Sequence, residues 1–217
     1  MPWYDESSGG RGYAHFAISG SVGYPDGLGG NDNAARYRTR PEARSTNRWI
    51  DTGIIEGADT NMLIGLESVI NVGAFQFTGE YLRTSVERLD TFGNNLEFDG
   101  GYVQAGYFLT GEHMPWNRKN GTLARVKPFE NFFLVRDCDC ETQRGIGAWQ
   151  VAARYSWGDL TDEEINGGEA DAITLAVNWL WNPYARMQFN WIVGDVDRFP
   201  LGGGDYQIFG ARLMVDF

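Results

Sequence analysis

Apolar and polar residues alternate with a period of two along much of the chain, most regularly in its last third. Over 147–157 the odd positions are Gly147, Trp149, Val151, Ala153, Tyr155 and Trp157, against Ala148, Gln150, Ala152, Arg154 and Ser156. Over 171–181, Ile173, Leu175, Val177, Trp179 and Trp181 oppose Ala172, Thr174, Ala176, Asn178 and Leu180. Over 185–194, Met187, Phe189, Trp191 and Val193 oppose Arg186, Gln188, Asn190 and Gly194. Over 205–217, Phe209, Ala211, Leu213, Val215 and Phe217 oppose Tyr206, Gly210, Arg212 and Asp216. Successive side chains of a strand point to opposite faces, so each segment carries one bulky apolar face and one polar or small face. Such segments reach the ~9–11 residues that a tilted strand needs to cross a bilayer, longer than the ~5–6 usual in soluble sheets.

Earlier segments repeat the pattern less cleanly. Phe16, Ile18, Val22 and Tyr24 oppose His15, Ser19 and Ser21; Phe75, Phe77 and Tyr81 oppose Gln76, Thr78 and Glu80; Val103, Ala105, Tyr107 and Leu109 oppose Tyr102, Gln104 and Gly106. A further strand is expected over 61–70 and a short one over 48–55, for about 8–10 strands in all and no convincing amphipathic helix. Asn71-Val72-Gly73 and Asn182-Pro183-Tyr184 read as tight turns. Residues 88–95, 159–169 and 197–204 read as longer loops; short turns at one end and long loops at the other is the pattern of outer-membrane barrels. The charged stretch 111–145 is expected to fold into the lumen, cap one mouth or add a hairpin through Asn131–Val135.

Composition agrees. The 217 residues include 29 glycines, and 14% are aromatic, as many short strands with tight turns require. Mean hydropathy is −0.37 and no run of about 18 apolar residues occurs, which excludes a membrane-spanning helix but not a membrane-spanning barrel. Five tryptophans (Trp149, Trp157, Trp179, Trp181 and Trp191) fall on the apolar face, mostly towards strand ends, as in an interfacial girdle. A soluble β-sandwich would have to pack all five into one core. The expected fold is all-β: an antiparallel transmembrane β-barrel, with residues 1–217 forming one partial barrel domain. The tail Tyr206…Phe209…Leu213…Val215…Phe217 resembles the C-terminal signal recognised by barrel-assembly machinery, with Phe217 as its last residue.

A net charge of −11 argues against nucleic acid as a partner, but it sums outer loops with the pore and tests the lumen weakly. Cys138 and Cys140 lack the four ligands of a structural zinc site and would close a strained disulfide, so they read as a loop pair of no catalytic importance, with a loop disulfide or metal contact as the alternative; no cofactor is expected. His15 and His113 lie on different segments, no nucleophile elbow surrounds any serine, and Leu201-Gly202-Gly203-Gly204-Asp205 reads as a hairpin loop, so catalysis is not expected. The start, Met1-Pro2-Trp3-Tyr4-Asp5-Glu6, has neither the basic nor the apolar region of a secretory signal. The expectation is that the sequence begins inside a longer precursor.

Several stretches together carry a family pattern. They are Arg38-Thr39-Arg40-Pro41-Glu42 with Arg48-Trp49-Ile50-Asp51-Thr52-Gly53, Gly79-Glu80-Tyr81-Leu82-Arg83, and Gly106-Tyr107-Phe108-Leu109-Thr110-Gly111-Glu112. The remainder are Asn117-Arg118-Lys119-Asn120-Gly121-Thr122, Arg125-Val126-Lys127-Pro128, Gly147–Ser156, and Asn166-Gly167-Gly168-Glu169. Together they resemble the phosphate-selective porin O and P family, and the resemblance implies a bacterial outer-membrane porin of about 16 antiparallel strands, wide enough for an aqueous channel. It also implies a homotrimer and, in several members, passage of phosphate or polyphosphate. This chain would supply the C-terminal half of such a barrel, so phosphate selectivity does not carry over residue by residue.

A pore that favours small anions needs cations facing water at a narrow point. The candidates are Arg154, Arg186 and Arg212 on the polar strand faces, the cluster Arg36, Arg38, Arg40, Arg44 and Arg48, and the loop residues Arg118, Lys119, Arg125 and Lys127. Glu80, Asp171 and Asp216 are available to neutralise them. The competing readings are an outer-membrane barrel without useful conductance and a soluble β-sandwich binding module.

Overall fold

The computed structural model describes residues 1–25, 33–136, 142–198, 200 and 202–216. Nine strands form one antiparallel sheet: β1 (Trp3–Tyr4), β2 (Gly12–Gly23), β3 (Ala58–Val72), β4 (Phe75–Arg88), β5 (Leu96–Phe108), β6 (Ala148–Asp162), β7 (Ile165–Asn182), β8 (Ala185–Asp197) and β9 (Gly204–Val215). Each strand pairs with its neighbours in sequence, so the sheet is a simple up-and-down meander. Among the described residues no ladder joins β9 back to β1 or β2, and the sheet is not closed.

The register carries the alternation from strand to strand. Trp149 lies opposite Trp179, and Val151 opposite Val177; Trp191 sits between Leu175 and Phe209. The bulky apolar residues thus share one face. That face is not covered: Ile18 and Phe209 are each 76% exposed, and Trp191 is 40% exposed. Among the described residues no second sheet packs against it, which is the arrangement a soluble sandwich would need. Contiguous apolar surface of this extent requires a partner, and hydrocarbon supplies one.

Carboxylates mark one limit of the apolar band. Trp157 is in register with Asp171, which is opposite Asp195, itself opposite Asp205; Asp159 is opposite Asp99 and Glu169. Asp99, Asp171, Asp195 and Asp205 belong to the outward-facing residue series, where ionised carboxylates are costly in lipid. Below them on β7, Ile173–Trp181 spans nine residues, or ~27 Å along the strand at ~3.3 Å per residue. At a tilt of ~35–45° this gives ~20 Å along the membrane normal, near the ~25 Å of known barrels.

Two sequence expectations change. Residues 159–169 are not a loop: β6 and β7 run on through a register shift between Asp159 and Thr161, and the turn is Glu163-Glu164, with Glu163 at φ 50°. Glycines and acids mimicked a loop because this part of the hairpin stands beyond the hydrocarbon. Residues 48–55 are not a barrel strand either. Ile50–Asp51 pairs with Arg38–Thr39, and Ile55–Glu56 with Ala34–Ala35, in two short ladders of the connection between β2 and β3. Trp49 and Ile50 give the stretch a strand-like apolar character because both pack against the inner wall.

The stretch between β5 and β6 both folds inward and adds a hairpin. Trp116–Asn117 pairs with Thr122–Leu123, and Phe133–Arg136 with Thr142–Gly145. It leaves from the same end as the short turns at Gly73-Ala74 and Pro183-Tyr184, so long and short connections are not segregated by end. In the second of these turns, the Asn182 side chain accepts the Tyr184 and Ala185 N–H groups at 2.8 and 2.9 Å. Cys138, Cys140 and Phe217 lie outside the described residues.

Apolar burial is confined to the inner side, at two levels. Ala35, Ile55 and Ala58 pack with Val86, Leu96 and Phe98 where the β2–β3 connection enters. Phe108, Val126, Ala148 and Leu180 pack together where the β5–β6 connection enters. The outer face has lipid as its solvent and needs no such core. Leu175→Arg, placing a guanidinium mid-band on the outer face, is expected to cost about 2–4 kcal/mol in urea unfolding from lipid vesicles. Asn190→Arg, on the inner face, is expected to change stability by less than about 1 kcal/mol in the same measurement.

Candidate functional site

The even-numbered residues of β6 to β9 face inward and line an open cavity of about 900 Å³, bordered at one end by Met114 and Leu123–Val126. Arg154, Arg186 and Arg212 line it, together with Arg125. A ladder of amides connects three of these strands: Asn178 Nδ2 donates to Gln150 Oε1 at 2.9 Å, and Gln188 Nε2 donates to Asn178 Oδ1 at 2.7 Å. Gln188 stands opposite Arg212 in the register. Such a wall is polar, ordered and water-compatible.

The arginines differ in how they are held. Arg154 donates from Nε and Nη2 to Gln104 Oε1 at 3.0 and 2.7 Å, and its guanidinium lies over the Tyr102 ring at 4.3 Å. It also meets Glu42 Oε1 at 3.4 Å. Arg186 donates from Nε to the Met214 sulfur at 3.4 Å. Neither Arg186 nor Arg212 has a carboxylate partner among the described residues. Of the acids available from sequence, Asp216 is taken by Arg125 at 2.6 Å, Glu80 lies on the inner face beside Glu67, and Asp171 belongs to the outward series and pairs with no arginine among the described residues.

The connection between β2 and β3 brings most of the second cluster inside. Arg40, Arg44 and Arg48 line a recess of about 600 Å³ between this segment and the wall, with Tyr206, Ser156 and Ala172 opposite. Arg36 is a fork on Asp51, at 2.8 and 2.6 Å, and this bond holds the Asp51 carboxyl below its ordinary pKa. Arg40 turns back on its own segment, donating to the Ser45 carbonyl at 2.7 Å. Partial desolvation, and after it the charges of Arg40 and Arg38, lower the pKa of Arg48. Arg38 is exposed and belongs to neither cavity.

The third group is dispersed. Arg118 pairs with Glu6 at 2.7 Å and covers the Tyr4 ring, while Lys119 and Lys127 are exposed. Among the girdle candidates, Trp149 and Trp179 stack at 4.9 Å and both donate to the Ile146 carbonyl; Trp181 is edge-on to Trp179 and also close to Phe132. Trp157 lies at the opposite end, beside the carboxylates, and Trp191 sits mid-strand, stacked on Phe209. His15 is 3.0 Å from Glu67 and packs against Trp116 of the β5–β6 connection.

Three contacts fix the inward segment, and sequence reading alone reached none of them. Ile50 is buried over Gly158 and Gly168; a Cβ on Gly168 would come within 3.1 Å of it, and Gly168 also sits at φ +95°. Trp49 meets Tyr206 edge-on at 4.3 Å. Glu42 bridges Arg154 and Thr174. The available signal for the last is that Glu42 is the one acid among five arginines between Arg36 and Trp49. Ile50→Ala is expected to cost about 2–5 kcal/mol locally, raising the rate of trypsin cleavage after Arg44 or Arg48 more than about tenfold in the folded protein.

The sequence pattern described as phosphate-selective porin O and P matches residues 6–217. The chain is also 30% identical, over 194 residues, to an uncharacterized protein of Caulobacter vibrioides. That alignment covers 86% of this chain and 36% of the relative, so the chain spans about a third of the relative's length. With an all-β meander, an apolar outer face and a polar inner one, the chain belongs to the phosphate-selective porin O and P family.

Proposed function

We propose that this chain forms part of a bacterial outer-membrane porin whose water-filled lumen passes small solutes by diffusion and favours anions, phosphate and polyphosphate among them. The observation that carries the reading is the placement of cations. Arg186 and Arg212 face the 900 Å³ cavity without carboxylate partners among the described residues, and Arg40, Arg44 and Arg48 line the neighbouring recess. Walls of low dielectric focus the field of such charges on the water between them. A guanidinium also offers a planar pair of donors that matches a phosphate edge.

The negative net charge does not oppose this reading. Asp99, Asp171, Asp195 and Asp205 belong to the outward series at the rim, and of these only Asp171 also borders the recess of Arg40, Arg44 and Arg48. Outer-membrane lipids, the barrel-assembly machinery and two further copies of the chain are the partners that accompany the proposal. A second reading, a barrel of little conductance, draws on the two inward segments that narrow the lumen from both ends.

Planar-bilayer recording on the full-length protein separates them. The expected outcome is ohmic current whose reversal potential under a KCl gradient favours chloride, and which phosphate reduces. Arg186→Gln with Arg212→Gln, and separately Arg44→Gln with Arg48→Gln, are each expected to lower the chloride-to-potassium permeability ratio about two- to fivefold. A cation-favouring wild-type channel would sink the anion reading, and no current at all would leave the second.

A further inference from the structure

Glu42 occupies an unusual position for an acid in this setting. It is the one carboxylate among the five arginines between Arg36 and Trp49, yet it is the residue that reaches across to the barrel wall. Its two oxygens divide between two strands. Oε1 is 3.4 Å from Arg154 Nη1 on β6, and Oε2 accepts the hydroxyl of Thr174 on β7. Arg154 and Thr174 are direct cross-strand partners, so a single carboxylate clasps one rung of the ladder. Glu42 is one-fifth exposed there, and it borders both cavities: the lower one with Arg154, Arg186 and Arg212, and the recess with Arg40, Arg44 and Arg48.

Two physical consequences follow. The clasp joins Ile50 and Trp49 as a third anchor and fixes how far the segment protrudes into the lumen. It also places a negative charge between two groups of positive ones, where it partly cancels the field of Arg154. We propose that Glu42 is a selectivity-setting residue, pinning the inward segment to the wall and holding the anion preference of the lumen below the level its arginines alone would set. This rests on the channel reading above and goes beyond it by naming the residue that tunes the charge balance.

The test pairs two measurements on the full-length protein. Glu42→Gln keeps the shape and the acceptor for Thr174 but removes the charge. It is expected to raise the chloride-to-potassium permeability ratio about twofold, the weight of one unit charge ~8 Å away across water. Glu42→Ala removes the clasp as well. With Cys138 and Cys140 replaced by Ser, spin labels at Ala43→Cys and Asn190→Cys are expected to give a narrow distance distribution with Glu42 present and a broad one in Glu42→Ala. A conducting wild type whose ratio is indifferent to Glu42→Gln would overturn the selectivity role while leaving the porin reading intact. A distribution equally narrow in Glu42→Ala would overturn the pin. A wild type without current would overturn the porin reading and the selectivity role together.

Discussion

Inside hydrocarbon an unpaired peptide group has no water to turn to, and each one left open costs several kcal/mol. A meander in which every long strand bonds to the next in sequence satisfies these groups along each ladder between neighbours. Once the backbone is settled in this way, the pleat sends alternate side chains to two different solvents. Lipid selects Ile173, Leu175, Val177 and Trp179 on one side of β7; water selects Thr174, Ala176 and Asn178 on the other. The absence of a conventional core follows, since apolar residues are stabilised by what surrounds the protein instead of by one another.

The same division organises the charges. Asp99, Asp171, Asp195 and Asp205 stand where the outer face leaves hydrocarbon, and Arg154, Arg186 and Arg212 where the inner face meets water. A chain of net charge −11 thereby presents a cavity lined by arginines. The inner wall is also pre-organised. Gln150, Asn178 and Gln188 hold one another, and Gln104 with Tyr102 fixes the Arg154 fork, so the guanidinium groups project from an ordered surface. Against this wall the segment carrying Arg40, Arg44 and Arg48 is held by an aliphatic contact, an aromatic contact and a carboxylate clasp.

Much of this was legible in the chain. The last four strands could be read almost residue by residue, because lipid and water impose opposite demands on neighbouring positions. Reading failed where that demand lapses. Residues 159–169 continue the β6–β7 hairpin but stand at the rim, where acids and glycines are tolerated, so they resemble a loop. Trp49 and Ile50 resemble a strand because they pack against the inner wall. The inward placement of Arg154, Arg186 and Arg212 was legible as well, since each falls on the polar side of the alternation. Pairings were not: Glu42 meets partners 112 and 132 residues away, and nothing local in sequence encodes a contact that only the register creates.

Accessibility measured residue by residue tests the central claim most directly. Spin labels placed singly from Ala172 to Leu180 in the folded, membrane-inserted protein report contact with lipid-soluble oxygen and with a water-soluble nickel chelate. The two accessibilities are expected to alternate out of phase with a period of two, oxygen favoured at 173, 175, 177 and 179 and nickel at 174, 176 and 178. Accessibility that is uniformly low to both reagents, or that shows no period of two, would contradict a strand standing between lipid and water.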